Sequence, residues 1–171
     1  MLIRTIGPND ADQLVRLKLQ LDDETQFMMF EPGERIITVE EQRKQIEHTL
    51  SQDNQTILVA EYGGQLVGYL SALGGKFKRN RHSVYIVVGI LQAFTGQGIG
   101  TQLFMAMEEW ACQHQLHRLE LTVMTHNQAG LALYKKRGFE IEGVRKHAIF
   151  VNGQYVDEYA MAKLLYCVAS S

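Results

Sequence analysis

The sequence predicts an α/β (α+β) protein in which one mixed sheet is covered by helices. Short apolar or alternating runs, typical of strands, are interleaved with segments whose apolar residues recur at helical spacing. Their order along the chain is β-α-α-β-β-β-α-β-α-β-β, which favours a single mixed sheet. The chain has 171 residues, 46% of them hydrophobic and 21% charged, enough for one sizeable core. We therefore expect a single domain over residues 1–171.

The first third is predicted to contain one strand and two helices. Residues 2–6 form the strand, and Pro8 stands where a helix tends to start, followed by apolar residues at helical spacing, Leu14, Leu17 and Leu21. Residues 22–37 have no clean period and are predicted to be an irregular loop. Thr38 followed by Glu41 is a capping-box pattern that opens the second helix.

The middle of the chain is predicted to hold three strands and a long helix. Two extended runs, residues 56–61 and 66–73, flank Gly63-Gly64, which is a hairpin signal. The most apolar strand covers residues 83–91, and an amphipathic helix follows over residues 98–114.

The last part is predicted to alternate strand and helix before closing with two extended segments. Residues 118–124 alternate apolar and polar side chains, as a half-buried strand does. Asn127 is a good N-cap for the next helix, and Gly138 suits its C-terminal stop. Residues 139–150 and 154–165 are the closing extended segments.

Composition excludes several protein classes. The formal net charge is −2 and the isoelectric point is about 6.3, so there is no electrostatic case for a nucleic-acid binder. No apolar run is long enough for a membrane span and no signal peptide is visible, so we expect a soluble, cytoplasmic protein. Cys112 and Cys167 are too few for a disulfide framework.

Three local clusters have an ordinary structural explanation. Cys112, His114 and His117 lie near one helix end without a second Cys/His pair, so no metal site is expected. The basic run between residues 76 and 82 is interpreted as a solvated turn, with contact to RNA or an acidic partner as the alternative. Lys135, Lys136 and Arg137 suit a helix C-terminus, or a cofactor phosphate.

A strand, a glycine-rich turn and a helix follow one another in the middle of the chain. Gly96, Gly98 and Gly100 allow close backbone approach, and the helix N-terminus offers unpaired N–H groups to a phosphate. The alternative is a tight turn without a ligand. Neither the P-loop pattern nor the dinucleotide pattern fits these residues.

Asn127 and Tyr134 form the second informative pair. They are seven residues apart, about two helical turns, and so lie on the same side of one helix. A tyrosine hydroxyl is a reasonable proton donor to a departing thiolate. The alternative is that Asn127 only caps the helix and Tyr134 only packs.

Together the two segments resemble the GCN5-related N-acetyltransferase (GNAT) family. Thr95-Gly-Gln-Gly-Ile-Gly is similar to the acyl-CoA loop of that family, and Asn127 with Ala132-Leu-Tyr-Lys-Lys-Arg-Gly-Phe is similar to its second motif. The resemblance extends from about residue 56 to residue 165. It implies the GNAT fold, a single mixed, mostly antiparallel central sheet flanked by about four helices.

The resemblance also implies a cofactor site and a catalytic residue. Backbone groups at the end of the central strand would bind the pantetheine arm of acetyl-CoA, and one N–H there would polarise the thioester carbonyl. The pyrophosphate would lie on the loop and helix start, and Tyr134 would protonate the CoA thiolate. The implied cofactor-binding residues are Val88, Gly89, Ile90, Gly96, Gln97, Gly98, Ile99, Gly100, Thr101 and Asn127.

Two positions depart from the family pattern. Thr95 stands where Arg or Gln is usual, which removes a long donor from the phosphate site. Thr122 stands where some members carry a glutamate general base, and threonine cannot usefully accept a proton at neutral pH. Glu120, two positions earlier on the same strand face, could act through a water chain, so the base stays unassigned.

The function expected from the resemblance is acetyl transfer from acetyl-CoA to a primary amine by direct attack. The loop over residues 22–35 mixes carboxylates with apolar side chains, which favours a small cationic amine, with a protein N-terminus next. An acidic surface loop is the alternative interpretation, and Asp157 and Glu158 share that ambiguity. A non-catalytic acyl-CoA-binding module is the alternative function. A second copy of the chain is a candidate partner, whereas nucleic acid, membrane and metal are not expected.

Overall fold

A seven-stranded sheet forms the centre of the computed structural model, which describes residues 1–168. Its order is β1-β2-β3-β4-β5-β7-β6. The strands are β1 (Leu2–Thr5), β2 (Gln55–Tyr62), β3 (Gln65–Gly74), β4 (Ser83–Ile90), β5 (Arg118–Met124), β6 (Glu140–Val151) and β7 (Gln154–Leu164). The helices are α1 (Ala11–Glu24), α2 (Val39–Leu50), α3 (Ile99–Gln113) and α4 (Gln128–Lys136). The predicted fold class, one mixed and mostly antiparallel sheet with four helices, is confirmed.

The sheet opens between β4 and β5. All other neighbouring strands are antiparallel, whereas these two are parallel and pair only from Ser83 to Tyr85 against Arg118 to Glu120. Beyond Tyr85 the two strands part while β4 stays paired with β3 up to Ile90. The result is a gap in the middle of the sheet, which we call the β4–β5 gap.

Helices cover the two faces of the sheet. A Cβ added to Gly89 of β4 would lie 2.7 Å from Leu21 of α1, so this face of β4 packs against α1. The opposite face carries Ile90, which approaches the start of α3 at Gly100. Helix α3 buries an apolar stripe there, Ile99, Leu103, Phe104 and Met107.

Local capping signals are confirmed by the structure. Thr38 accepts a hydrogen bond from the backbone N–H of Glu41, and the Glu41 carboxylate accepts one from Thr38 in return. Asn127 caps α4 through its side-chain oxygen. Pro8 starts a short 3-10 turn, Pro8–Asp10, and the α-helix begins only at Ala11.

One disulfide, which the sequence analysis did not predict, joins Cys112 of α3 to Cys167 in the C-terminal tail. The two cysteines are 55 residues apart in sequence, with their Cα atoms 5.5 Å apart. The pairing depends on β7 returning the tail to α3, which a cysteine count does not reveal. Within residues 1–168, no helix combines the length and apolar character that crossing a bilayer requires.

Candidate functional site

The end of β4 presents backbone groups to the β4–β5 gap. Val88, Gly89 and Ile90 pair with β3 on one side, but no described strand pairs with them on the other, because β5 has already diverged. Packing also explains why position 89 is a glycine, because Leu21 and Tyr69 leave no room for a Cβ there. This segment can therefore accept an extended ligand as an additional strand.

The glycine loop after β4 is open. Gly96 and Gly98 have φ angles of +73° and +80°, in the left-handed region that favours glycine, and no atom lies within 4 Å of an added Cβ at either position. Gly98 is the N-cap of α3 and has no side-chain cap. The first turn of α3 thus offers backbone N–H groups and the positive end of its dipole to an anion.

The other predicted loop residues have distinct local contacts. Ile99 is buried, and Gly100 packs so closely on Leu133 of α4 that an added Cβ would lie 2.7 Å from a Leu133 methyl group. Thr101 lies in the first turn of α3. The Gln97 side chain donates to the Ala93 carbonyl at 3.1 Å, so it folds back on its own loop.

Thr95 has a structural role that the sequence analysis missed. Its hydroxyl donates to the Gln92 carbonyl at 2.8 Å and so closes the short 3-10 turn between β4 and the glycine loop. A threonine favours this local bond because its hydroxyl is close to its own backbone.

Asn127 caps α4 and lies beside the end of β5. Its Oδ1 accepts a hydrogen bond from the Gly130 N–H at 3.0 Å. Among residues 1–168 its side-chain nitrogen has no hydrogen-bond partner, so the amide can cap the helix and still donate to a ligand.

Tyr134 lies on α4, and its phenol is close enough to that of Tyr85 on β4 to interact with it. Its ring is buried against Phe104 and Phe139, with ring centroids 5.8 and 6.2 Å away. Burial, and secondarily the phenol of Tyr85, raises the pKa of Tyr134 to about 12. Among the described residues its hydroxyl has no hydrogen-bond partner, yet it is not completely enclosed. The group is therefore protonated at neutral pH and free to donate.

Tyr85 and Thr122 bridge the gap where it begins. The Tyr85 hydroxyl and Thr122 Oγ1 are 2.8 Å apart, one on β4 and the other on β5. The sequence analysis missed Tyr85, although it is the one aromatic residue in the apolar run over residues 84–91. Glu120 lies opposite Tyr85 in register, but its carboxylate is held by Arg118 at 2.9 Å.

Helix α1 continues to Glu24, so the loop predicted over residues 22–37 begins only at Thr25, and most carboxylates of this acidic segment have partners within the protein. Asp22 is buried and accepts two hydrogen bonds from Arg35, at 2.6 and 3.1 Å. Glu24 accepts from the Gln92 backbone N–H, and Glu34 accepts from the Glu31 backbone N–H. Of the five carboxylates between residues 22 and 34, those of Asp23 and Glu31 form no hydrogen bond or ion pair with a described residue. This loop is therefore less available to a cation than its composition suggests.

The two acidic side chains of β7, Asp157 and Glu158, also accept hydrogen bonds from other residues. Glu158 is buried and accepts a hydrogen bond from Arg145 at 3.0 Å. The backbone N–H of His147 and the Lys146 ammonium hold the pKa of the Asp157 carboxyl below its usual range.

The Cys/His cluster also has structural partners. Cys112 is disulfide-bonded, His114 Nδ1 is 2.8 Å from the Trp110 carbonyl, and His117 Nδ1 is 2.9 Å from the Leu165 carbonyl. Within the part of the chain that the structure describes, no group of His, Cys, Asp and Glu side chains could hold a metal ion.

A family model described as "Acetyltransferase (GNAT) family" matches residues 19–139. The L-amino acid N-acetyltransferase AaaT of Escherichia coli K12 is 36% identical over 109 residues, 63% of this chain and 67% of that protein. The spermidine N(1)-acetyltransferase of the same strain is 26% identical over 140 residues, 80% of this chain and 73% of that protein.

Among solved structures, an acetyltransferase of the GNAT family from Streptococcus pneumoniae superposes with a TM-score of 0.93. It is 33% identical in sequence, and the match covers 96% of this chain and 99% of that one.

Proposed function

This chain belongs to the GNAT family and is an acetyl-CoA-dependent N-acetyltransferase, and from that premise we propose that it acetylates a small cationic primary amine by direct attack in a ternary complex. The observation that carries the proposal is Tyr134, a protonated hydroxyl that has no partner among the described residues and interacts with Tyr85, where the β4–β5 gap begins. Direct transfer needs proximity, carbonyl polarisation, a proton acceptor and a proton donor.

In the proposed complex acetyl-CoA occupies the gap and the glycine loop. The unpaired edge of Val88, Gly89 and Ile90 binds the pantetheine arm, and a backbone N–H there polarises the thioester carbonyl. The pyrophosphate lies at the start of α3, where the loop is open, and the Asn127 amide donates to the cofactor arm. The residues assigned to the loop contact are Gly96, Gln97, Gly98, Ile99, Gly100 and Thr101.

The proposed chemical step forms one bond and breaks another. The neutral amine attacks the thioester carbon, a C–N bond forms, and the C–S bond breaks. Tyr134 gives its proton to the departing thiolate and regains one from solvent, and water takes the proton that the new amide loses. Thr122 cannot take this proton and Glu120 is paired with Arg118, so no side chain is assigned as the general base.

Direct attack is favoured over a covalent acetyl-enzyme because neither cysteine is placed as a nucleophile: Cys112 lies near the end of α3 and Cys167 lies in the C-terminal tail. A burst of CoA release without any amine, together with acetylated protein in the mass spectrum, would contradict direct attack. Steady release that depends on amine concentration is the expected result.

The alternative function is a module that binds acyl-CoA without catalysis. Thr95 and Thr122, the two departures from the family pattern, are the features that favour it. Tight acetyl-CoA binding with no CoA release across a broad amine and peptide panel would support this alternative. The proposed enzyme instead releases CoA with at least one amine class.

Relatives of this chain are named for acetylation of L-amino acids and of spermidine, so small amines of both kinds are candidates. A protein N-terminus is the next candidate.

We place the activity in the cytoplasm, in a single domain spanning the chain, with a homodimer as a candidate assembly. A CoA-release screen over polyamines, aminoglycosides, amino acids and short peptides identifies the acceptor class.

A further inference from the structure

Two hydroxyl groups face each other across the β4–β5 gap where it begins. Tyr85 Oη on β4 and Thr122 Oγ1 on β5 are 2.8 Å apart, and either atom can be the donor. We call this pair the hydroxyl bridge. One hydrogen atom is shared between the two oxygens, so the accepting hydroxyl keeps its own hydrogen for another partner, and both oxygens keep lone pairs. The hydroxyl bridge can therefore receive a proton from one neighbour and give a proton to another.

The hydroxyl bridge and Tyr134 lie on opposite faces of the sheet. Tyr85 and Gly89 are four residues apart on β4, whose pairing with β3 is regular, so both positions face α1. Tyr134 belongs to α4, which packs through Leu133 on Gly100 of α3, on the other face. The phenols of Tyr85 and Tyr134 are nevertheless close enough to interact. A path between these two phenols therefore passes through the β4–β5 gap.

Solvent reaches the hydroxyl bridge but hardly reaches Tyr134. Tyr85 is 39% exposed and Thr122 is half-buried, whereas Tyr134 is 9% exposed and packs on aromatic neighbours. Within residues 1–168 the two phenols form no direct hydrogen bond with each other, so a bridging water molecule completes the path. The hydroxyl bridge is thus the end of this path at which solvent can supply a proton.

Tyr134 needs such a supply because it is a weak acid. Its pKa is about 12, whereas the pKa of an ordinary thiol is about 8.5. Tyr134 therefore holds its proton more firmly than the CoA thiolate would, and transfer from an isolated Tyr134 is uphill. The transfer goes to completion when the Tyr134 oxygen receives a second proton as it gives up the first.

We infer that the hydroxyl bridge is a proton relay that resupplies Tyr134, with Tyr85 and Thr122 as positioning residues. As the C–S bond breaks, the Tyr134 proton moves to the sulfur, and a proton from Tyr85 moves through the bridging water to the Tyr134 oxygen. Tyr85 regains a proton from Thr122, and Thr122 regains one from solvent, so one solvent proton is consumed for each thiolate. This inference rests on the proposed function, in which Tyr134 is the proton donor.

The first experiment removes one hydroxyl at a time. Single-turnover CoA formation is measured with spermidine, L-leucine, kanamycin and a short peptide with a free N-terminus, and the fastest of these amines is kept. We expect Tyr85→Phe and Thr122→Val to lower this rate about tenfold, and Thr122→Ser, which keeps the hydroxyl, to stay within about twofold of the parent protein. The Kd for acetyl-CoA should not change in any of the three variants.

Tyr166→Phe is the control for loss of a phenol. Tyr166 is 82% exposed in the C-terminal tail, where its ring packs on His117, so this variant should keep the parent rate. An unchanged rate in Tyr85→Phe, or equal losses in Thr122→Val and Thr122→Ser, overturns the relay and leaves the proposed function standing. Bound acetyl-CoA without CoA formation from any of the four amines overturns the proposed function and this inference with it.

The second experiment separates a relay from a merely structural role. Single-turnover rates are measured in mixtures of H₂O and D₂O, because a step that moves several protons slows along a curve as the deuterium fraction rises, whereas a step that moves one proton slows along a straight line. We expect a curve for the parent protein and for Tyr166→Phe, and a dependence close to a straight line for Tyr85→Phe. A straight line for the parent protein, or equal curvature in Tyr85→Phe, overturns the relay even if the rate of that variant has fallen.

Discussion

At the scale of single residues, Tyr134 carries the proton transfer that we propose. A buried phenol costs more to ionise than an exposed one, which is why its pKa rises to about 12. Between pH 6 and pH 10 the hydroxyl therefore stays protonated. A fall in activity on the alkaline side within this range belongs to another group or to the substrate.

Replacing Tyr134 with phenylalanine tests its role as the proton donor. We expect kcat to fall by about 10²–10⁴-fold, because the hydroxyl is needed only where charge develops on sulfur. The Kd for acetyl-CoA should hardly change, since the ring still packs on Phe104 and Phe139. Single-turnover rates and calorimetric binding measure the two quantities. An unchanged single-turnover rate would remove Tyr134 from the mechanism.

Replacing Gly89 with alanine tests how closely β4 packs against α1. In Gly89→Ala the new methyl group would lie 2.7 Å from buried Leu21, so α1 or β4 must shift. We expect a loss of about 1–3 kcal/mol in the free energy of unfolding. The affinity for acetyl-CoA should also fall, because the shifted strand carries the backbone groups assigned to it.

Gly143→Ala is the matched control for Gly89→Ala. Gly143 is also in a strand, but no atom lies within 4 Å of its added Cβ. Urea unfolding should place this variant within about 0.5 kcal/mol of the parent protein. Equal losses in the two variants would contradict the close packing of α1 on β4.

At the scale of elements, the α1–α2 loop is irregular yet firmly anchored. Arg35 reaches back to Asp22 at the end of α1, and both side chains are largely buried, 13% and 2% exposed. Phe27 also packs against His126 in the β5–α4 turn, with ring centroids 5.1 Å apart. The loop therefore keeps a defined shape without regular secondary structure.

Arg35→Met tests this anchor. Removing the guanidinium leaves the buried Asp22 carboxylate uncompensated, which costs about 3–5 kcal/mol in comparable sites. We expect a lower free energy of unfolding and a higher KM for the amine. Arg16→Met removes the exposed Arg16–Asp12 pair and should cost no more than about 0.5 kcal/mol. A similar small effect for Arg35→Met in urea titration would show that the loop does not depend on this pair.

At the scale of the whole molecule, strand pairing and a disulfide attach the C-terminal region to the rest of the chain. Strand β7 is inserted between β5 and β6, and the disulfide then attaches the tail to α3. Disulfides are rare in the cytoplasm, where thiols are kept reduced. We therefore expect the bond to form in the purified protein under oxidising conditions and to be reduced in the cytoplasm.

The disulfide should stabilise the oxidised protein. Closing a loop of 55 residues reduces the entropy of the unfolded chain, and we expect a gain of about 2–4 kcal/mol. Dithiothreitol should lower the Tm of the parent protein but not that of Cys112→Ser, and mass spectrometry should report the bond. A parent Tm that is insensitive to reduction would show that this disulfide does not stabilise the protein.

The sequence by itself determined the element order, the helix caps and the family. Each of these depends on short-range information: periodicity within one segment, or a side chain bonding backbone three residues away, as Thr38 and Asn127 do. The glycine loop and the Asn127–Tyr134 spacing are equally local. Through their resemblance to the GNAT motifs they predict an acetyl-CoA site and a proton donor before any tertiary contact is known.

Only the tertiary structure decided where the strands part and which charges stay free. Tyr85 and Thr122 are 37 residues apart, and Cys112 and Cys167 are 55 apart, so neither pair leaves a local pattern. The acidic loop looked available to a cation because composition does not show that Arg35 folds back on Asp22. Partners that the fold brings together from distant segments are set by packing of the whole chain.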